Sequence, residues 1–249
     1  MRERFVVVKF GSDLVANEDG VMQDTLNMYA KGLSAERKLI VVSSGAVATG
    51  RQRWHEQYGN TEVDLRILAM LGSGGITAAW QEAFAKQNLL AGQLLVTHHE
   101  IEDGEEGQEF TDTLHANSVA GTVPIVNEND ALSNTELMKL ATGGDNDGLA
   151  AHIATAIDAR ELRIFTKKGG IVDDMGNFIT QIDEDNYQNI ATMLDARTIK
   201  KNGNGRGGMA SKLAAAWRAA DTCSRVVIAA PNDKMDGEKQ TVVTKNGKM

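Results

Sequence analysis

Short apolar runs alternate along this chain with longer stretches in which apolar residues recur at helical spacing. The apolar runs predict strands at residues 5–10, 39–42, 89–96, 123–126, 162–166 and 225–230, with 241–244 as an edge strand. Helical spacing predicts helices at residues 24–33, 63–85, 108–120, 149–159, 183–194 and 213–221, and the residues around 175–177 predict a hairpin. This alternation predicts an α/β fold, a three-layer αβα sandwich with a mainly parallel central sheet. Because the sequence shows no internal repeat, linker or low-complexity tract, a single unit over residues 1–249 is favoured over two.

Two polar segments lie where predicted strands and helices meet in the middle of the chain. An apolar run with Pro124 breaks into Asn127-Glu128-Asn129-Asp130, and Gly143-Gly144-Asp145-Asn146-Asp147 then leads into a helix. Side chains that follow strands of an α/β sheet lie at its carboxyl edge, so these segments predict two walls of one polar cleft. Two solvated loops are the alternative, since Asn, Asp and Gly are common turn residues.

A lysine stands near the end of the first predicted strand, in Lys9-Phe10-Gly11-Ser12. The glycine lets the backbone approach an anion, and both its amide and the lysine can point towards that anion. A second strand–glycine–helix junction, Ser43-Ser44-Gly45-Ala46, offers hydroxyls and free amides at a helix start. The alternatives are a lysine that extends to solvent and an ordinary helix cap.

The most glycine-rich segment, residues 203–208, leads into an alanine-rich helix that carries Lys212. It matches G-x-G-x-x-G, but a helix precedes it and no acid ends the next strand, so it does not fit the dinucleotide-binding motif. No P-loop motif is present. Amides, a helix dipole and an ammonium group can hold a phosphate chain. Lys9 and Lys212 could therefore flank a transferring phosphoryl group, or they could be unrelated surface charges.

Charge and cysteine content narrow the class of protein. A formal charge of −8 argues against a nucleic-acid partner, which would need a basic face. Cys223 is the single cysteine, which excludes a disulfide framework and fits the cytoplasm. The chain enters its first strand almost at once and has no long apolar run, so neither a signal peptide nor a membrane span is expected. His98 and His99 are interpreted as surface residues, because adjacent residues of an extended chain point to opposite faces.

Five motifs in one order resemble the amino acid kinase family, and within it the branch that phosphorylates L-glutamate. They span residues 8–212 and are Val8-Lys9-Phe10-Gly11-Ser12, Ser43-Ser44-Gly45-Ala46, Pro124-Ile125-Val126-Asn127-Glu128-Asn129-Asp130, Gly144-Asp145-Asn146-Asp147 and Gly207-Gly208-Met209-Ala210-Ser211-Lys212. The resemblance implies transfer of the γ-phosphoryl group of ATP to the side-chain carboxylate of glutamate. It also implies Mg²⁺ held mainly by the ATP phosphates, with no metal ligand from the protein.

The resemblance assigns a role to each matching position. Lys9 and Lys212 would stabilise the transition state, and Asp147 would orient them. The glutamate-binding residues would be Ser44, Gly45, Asp130, Asp145 and Asn146. The ATP-binding residues would be Lys9, Gly11, Thr166, Lys167, Arg206, Gly207, Gly208, Met209, Ala210, Ser211 and Lys212. Residues up to about 160 would bind glutamate and residues from about 161 to 249 would bind ATP.

Three positions depart from the family pattern. The family usually has Asp at Lys167, Thr at Arg206 and Gln at Ser73. Two added cations near the nucleotide leave open a catalytically silent sensor of glutamate or proline. Another small-acid or phosphate kinase of the same fold is the second alternative, and the acidic segment from Asn127 to Asp130 argues against it. The resemblance also implies a homo-oligomer and proline as a feedback inhibitor, which the residues themselves do not indicate. Bacterial relatives often continue into an RNA-binding-type PUA domain, which a chain of 249 residues is too short to include.

Overall fold

The structure is a computed structural model that describes residues 4–97, 101, 104–131, 146–202 and 208–245. Internal contacts divide the chain into two compact units. The first unit comprises Met1–Lys9, Met138–Asn232 and Asp236–Met249, and the second comprises Phe10–Leu137 and Asp233–Met235. No helix among the described residues has the length and apolar character needed to cross a bilayer.

Strands and helices alternate through the described residues, as the apolar pattern predicted. In chain order the elements are β1 (Val6–Phe10), α1 (Ser12–Val15), β2 (Ala16–Asn17), β3 (Gly20–Val21), α2 (Gln23–Leu33), β4 (Leu39–Ser43), α3 (Ala46–Tyr58), α4 (Leu65–Ala85), β5 (Ala91–Val96), α5 (Glu105–Ala120), β6 (Val123–Glu128), α6 (Asn146–Ala156), β7 (Glu161–Phe165), β8 (Gln181–Ile182), α7 (Tyr187–Asn202), α8 (Met209–Ala219), β9 (Arg225–Ala230) and β10 (Glu238–Val243).

The central sheet has eight strands and is mainly parallel, which confirms the predicted fold class. In the second unit β6 lies between β5 and β4 and runs parallel to both. In the first unit the order is β1, β7, β9, β10 and β8, with β7 parallel to β9. Strands β1, β4, β6 and β7 are buried along their whole length, as expected for parallel strands covered by helices on both faces. Within each unit, parallel strands bring their carboxyl ends to one edge of the sheet.

The prediction of an edge strand at residues 241–244 was wrong in position. Strand β10 begins at Glu238, runs antiparallel to β9 and has β8 on its other side. Thr241 is fully buried, and its hydroxyl accepts from the Ile171 amide at 2.8 Å and donates to the Ile179 carbonyl at 2.6 Å. The two-residue strand β8 occupies the edge instead, and its length is too short to give a periodic sequence signal.

Glycines in α3 and α4 allow these two helices to cross closely. A Cβ on Gly72 would lie 1.9 Å from the Ala46 carbonyl oxygen, and one on Gly50 would lie 1.8 Å from that of Leu68. Gly72, inside the predicted helix at 63–85, therefore marks close backbone packing.

Candidate active site

Three charged side chains from separate elements meet in the first unit. Lys9 lies near the carboxyl end of β1, Asp147 in the first turn of α6 and Lys212 in the first turn of α8. The Asp147 Oδ1 atom is 2.8 Å from Lys9 Nζ, and the Oδ2 atom is 2.9 Å from Lys212 Nζ. The predicted trio is therefore assembled around one carboxylate, although Lys9 and Lys212 are far apart in sequence.

The side chains of this cluster are mostly buried, which strengthens the electrostatic effects among them. The Lys9 and Asp147 side chains are 4% and 5% exposed, whereas Lys212 is 19% exposed. Burial raises the pKa of the Asp147 carboxyl, but the adjacent Lys9 and Lys212 ammonium groups outweigh this effect and hold the pKa below its ordinary value. Two cations around one carboxylate leave a net positive charge at neutral pH. A partly accessible excess of positive charge is suited to binding an anion.

The amino terminus of α8 lies beside this charge. Gly208 caps the helix with a φ of 83°, and its carbonyl accepts from the Ser211 hydroxyl at 2.9 Å. The first-turn amides, which include those of Met209, Ala210 and Ser211, have no acceptor within the helix by its geometry. Together with the helix dipole, these amides can hold phosphate oxygens next to Lys212. Arg206 and Gly207 lie outside the described residues.

The end of β7 is also part of the first unit. The Thr166 amide donates to the Ala229 carbonyl at 2.9 Å, and its hydroxyl donates to the Gly169 carbonyl at 2.5 Å. Thr166 is thus buried and shapes the turn after the strand, while Lys167 is exposed. A side chain at position 167 can contact a ligand, whereas the Thr166 hydroxyl is already engaged.

The predicted acceptor residues Ser44 and Gly45 lie in the second unit, at the junction of β4 and α3. The Ser44 amide donates to the Phe10 carbonyl at 3.1 Å, which ties this junction to the residue before Gly11. Gly45 has a φ of 112°, and a Cβ there would lie 2.8 Å from the Val15 side chain. Only glycine suits this position, because the backbone is left-handed and the space is filled.

Buried polar side chains lie at the end of β6 and directly after it, in the same unit. Asn127, Glu128 and Asp130 are each at most 6% exposed. Among the described residues, no hydrogen-bond partner reaches the buried Oδ1 atom of Asn127. A buried oxygen of this kind is one that a ligand can satisfy. The sequence marked Asn127 as part of a polar wall but assigned it no role.

Another predicted glutamate-binding residue, Asn146, belongs to the first unit. Asn146 opens α6 and is 5% exposed, directly before Asp147. Asp145 lies outside the described residues. The structure therefore brings Lys9, Asn146, Asp147 and Lys212 into one unit, while Gly11, Ser44, Gly45 and Asp130 belong to the other.

The sequence and the fold both match known kinases. The model of the amino acid kinase family matches residues 4–230, so the chain belongs to that family. The fold agrees: carbamate kinase from Giardia superposes with a TM-score of 0.64 at 13% identity, covering 99% of this chain and all of the other. The UMP kinase of Ureaplasma parvum gives a TM-score of 0.60 at 14% identity, over 98% and 100% of the two chains.

Two proteins of similar sequence are glutamate 5-kinases. The glutamate 5-kinase of Aromatoleum aromaticum is 33% identical over 242 residues, which is 92% of this chain. The glutamate 5-kinase 2 of Pseudoalteromonas translucida is 31% identical over 237 residues. The chain spans 63% of the length of each of these two relatives.

Proposed function

We propose that this protein transfers the γ-phosphoryl group of ATP to the side-chain carboxylate of L-glutamate, giving L-glutamyl 5-phosphate, the first step of proline biosynthesis. The observation that carries the proposal is the buried cluster in which Asp147 holds the Lys9 and Lys212 ammonium groups. The similarity to glutamate 5-kinases supports the choice of acceptor.

In the proposed reaction a glutamate carboxylate oxygen forms a bond to the γ-phosphorus. The bond from that phosphorus to the β–γ bridging oxygen breaks, and ADP leaves with the bonding electrons. Negative charge in the transition state is spread over the phosphoryl oxygens, so catalysis consists mainly of positioning and electrostatic stabilisation. Lys9 and Lys212 supply the positive charge, and Asp147 fixes their positions. A carboxylate acceptor is ionised and nucleophilic at neutral pH, and no general base is needed.

The proposal assigns the other site residues to ATP or to glutamate. The α8 amino terminus and the residues from Arg206, together with Thr166 and Lys167 after β7, bind ATP. Ser44, Gly45, Asp130, Asp145 and Asn146 bind glutamate, and the Gly11 amide contacts the moving phosphoryl group. Residues up to about 160 thus bind mainly glutamate, and the remainder of this amino acid kinase domain binds ATP.

In the proposal, Mg²⁺ is carried mainly by the phosphates of ATP, where it neutralises charge on the donor. Asp147 is engaged by two ammonium groups, so its role is to hold the lysines.

ADP release with a panel of acceptors tests the proposal. Glutamate should support turnover, whereas aspartate, N-acetylglutamate and UMP should not. Turnover with another member of the panel in place of glutamate would indicate a different kinase of the same fold. Glutamate binding without turnover would instead identify a sensor.

The proposal extends to three properties of the protein in the cell. Proline inhibits the reaction, the protein assembles as a homo-oligomer and it acts in the cytoplasm, where a buried free thiol such as Cys223 remains reduced. Proline titration in the same assay and light scattering of the purified protein test the first two, and fractionation of cells tests the third.

A further inference from the structure

A buried chain of hydrogen bonds ends at the peptide group between Ser44 and Gly45. The indole Nε1 of Trp80 donates to the Ser43 hydroxyl at 2.8 Å, and that hydroxyl donates to the Ser44 carbonyl at 3.0 Å. Trp80 is fully buried and Ser43 is 1% exposed. All of these residues belong to the second unit.

The donors and acceptors of this chain have only one consistent order. An indole nitrogen can only donate, so the Ser43 oxygen must accept from Trp80. The single hydroxyl hydrogen of Ser43 is then directed to the Ser44 carbonyl. Removing either side chain leaves a buried polar group without its partner, which proteins avoid.

An aromatic cluster holds Trp80 in place. Its ring centroid is 5.2 Å from that of Phe10 and 5.8 Å from that of Phe84, and Phe10 stacks on Tyr29 at 4.8 Å. The Phe10 carbonyl also accepts a hydrogen bond from the Ser44 amide. The peptide groups on both sides of Ser44 are therefore fixed from the same buried cluster.

Fixing the Ser44 carbonyl also fixes the direction of the Gly45 amide. The carbonyl and the N–H of a trans peptide lie in one plane and point in opposite directions. The Gly45 N–H is therefore directed away from Ser43 and Trp80, and none of the described residues accepts from it. It lies at the start of α3, where the helix dipole favours an anionic acceptor.

We propose that Trp80 and Ser43 are positioning residues that hold the Gly45 amide in the orientation needed to bind the carboxylate of the acceptor. This inference rests on the proposed function, in which Gly45 contacts glutamate. Neither Trp80 nor Ser43 touches the substrate in this arrangement, and both act through the Ser44–Gly45 peptide.

Kinetics separate positioning from a general structural role. Ser43→Ala and Trp80→Phe should each raise the KM for glutamate roughly three- to tenfold, the equivalent of one hydrogen bond, with the KM for ATP unchanged. The KM for glutamate of the double variant should not exceed that of the more impaired single variant, because both changes break the same chain of hydrogen bonds. Trp54→Phe is the matched control, since the Trp54 indole donates to Thr61 at the surface and its loss should leave both KM values unchanged. Equal changes in both KM values, or additive effects in the double variant, would overturn the proposal.

An NMR measurement tests the proposal without enzyme activity. Labelling with [¹³C′]serine and [¹⁵N]glycine selects amides of glycines that follow serine, which in this sequence are Gly45 and Gly74. Without any ligand, Ser43→Ala should shift the Gly45 resonance and leave Gly74 in place, and an unshifted Gly45 resonance overturns the relay. Glutamate should shift Gly45 in the wild type. If the relay holds but glutamate neither shifts Gly45 nor is phosphorylated, the proposed function fails and the structural relay stands.

Discussion

Replacing Lys212 by Ala should abolish most of the turnover while the protein remains folded. The Lys212 Nζ atom is 2.9 Å from Asp147, and its removal lowers the net charge of the cluster from positive to neutral. Loss of one preorganised donor to transition-state charge typically costs about 10²- to 10³-fold in kcat. Asp147 keeps Lys9 as a partner, so the loss in unfolding free energy should stay below the roughly 3–5 kcal/mol of an unpaired buried charge.

A matched control is available in the same unit. The Lys245 side chain is 21% exposed, close to the 19% of Lys212, and its Nζ atom is 2.6 Å from Asp221. Lys245→Ala therefore removes a lysine of similar burial that is paired with an exposed aspartate, and kcat should stay at the wild-type value. The measurements are kcat from ADP release at saturating glutamate and ATP, together with thermal unfolding followed by circular dichroism. Near wild-type kcat in Lys212→Ala, or an equal loss in Lys245→Ala, would refute the assigned role.

Three further outcomes are expected. Lys9→Ala should also lower kcat at least 10²-fold. It should destabilise the fold more than Lys212→Ala, because Lys9 is almost fully buried. Calorimetry that shows the reverse order of stability would contradict this. The pKa of Asp147 is lowered by folding, so its stabilisation is complete above its ordinary value of 3.8 and is lost as the pH falls through the lower folded value. In Lys212→Ala that loss should begin at higher pH in acid-unfolding curves, and an unchanged midpoint would argue against the pairing. Gly72→Ala should lower the free energy of unfolding in urea by more than about 2 kcal/mol, because its Cβ meets the Ala46 carbonyl. Gly74→Ala, with open space around the added Cβ, should be neutral or stabilising. Equal effects of the two changes would count against the close crossing of α3 and α4.

The periodicity of apolar residues was sufficient to predict most elements of the fold. Buried parallel strands such as β7 and β9 are short apolar runs between polar breaks, and α2, α4 and α5 follow helical spacing within a few residues. The predicted position of strand β10 was wrong because the strand begins with three polar residues, Glu238, Lys239 and Gln240, which give no apolar signal. Pairing with β9 on one side and β8 on the other stabilises this segment, and such pairing is not encoded in local propensity.

The candidate site was predictable to the extent that its chemistry lies in motifs. Lys9, Asp147 and Lys212 were each identified from the sequence, but spacing along the chain left open whether the two lysines were unrelated. Trp80 gave no signal, because a tryptophan in an apolar helix stretch is indistinguishable from any core residue until its Nε1–H is placed against Ser43.

The sequence by itself determined which residue types are present and most of the local structures they adopt. These include the two lysines, the polar segments at strand ends and the glycines at helix starts. Only the tertiary structure decided that Asp147 receives both ammonium groups and that Ser43 lies between Trp80 and Ser44. The physical reason is that local patterns follow from short-range sterics and hydrophobic period, whereas side-chain contacts between distant segments depend on strand order and helix packing.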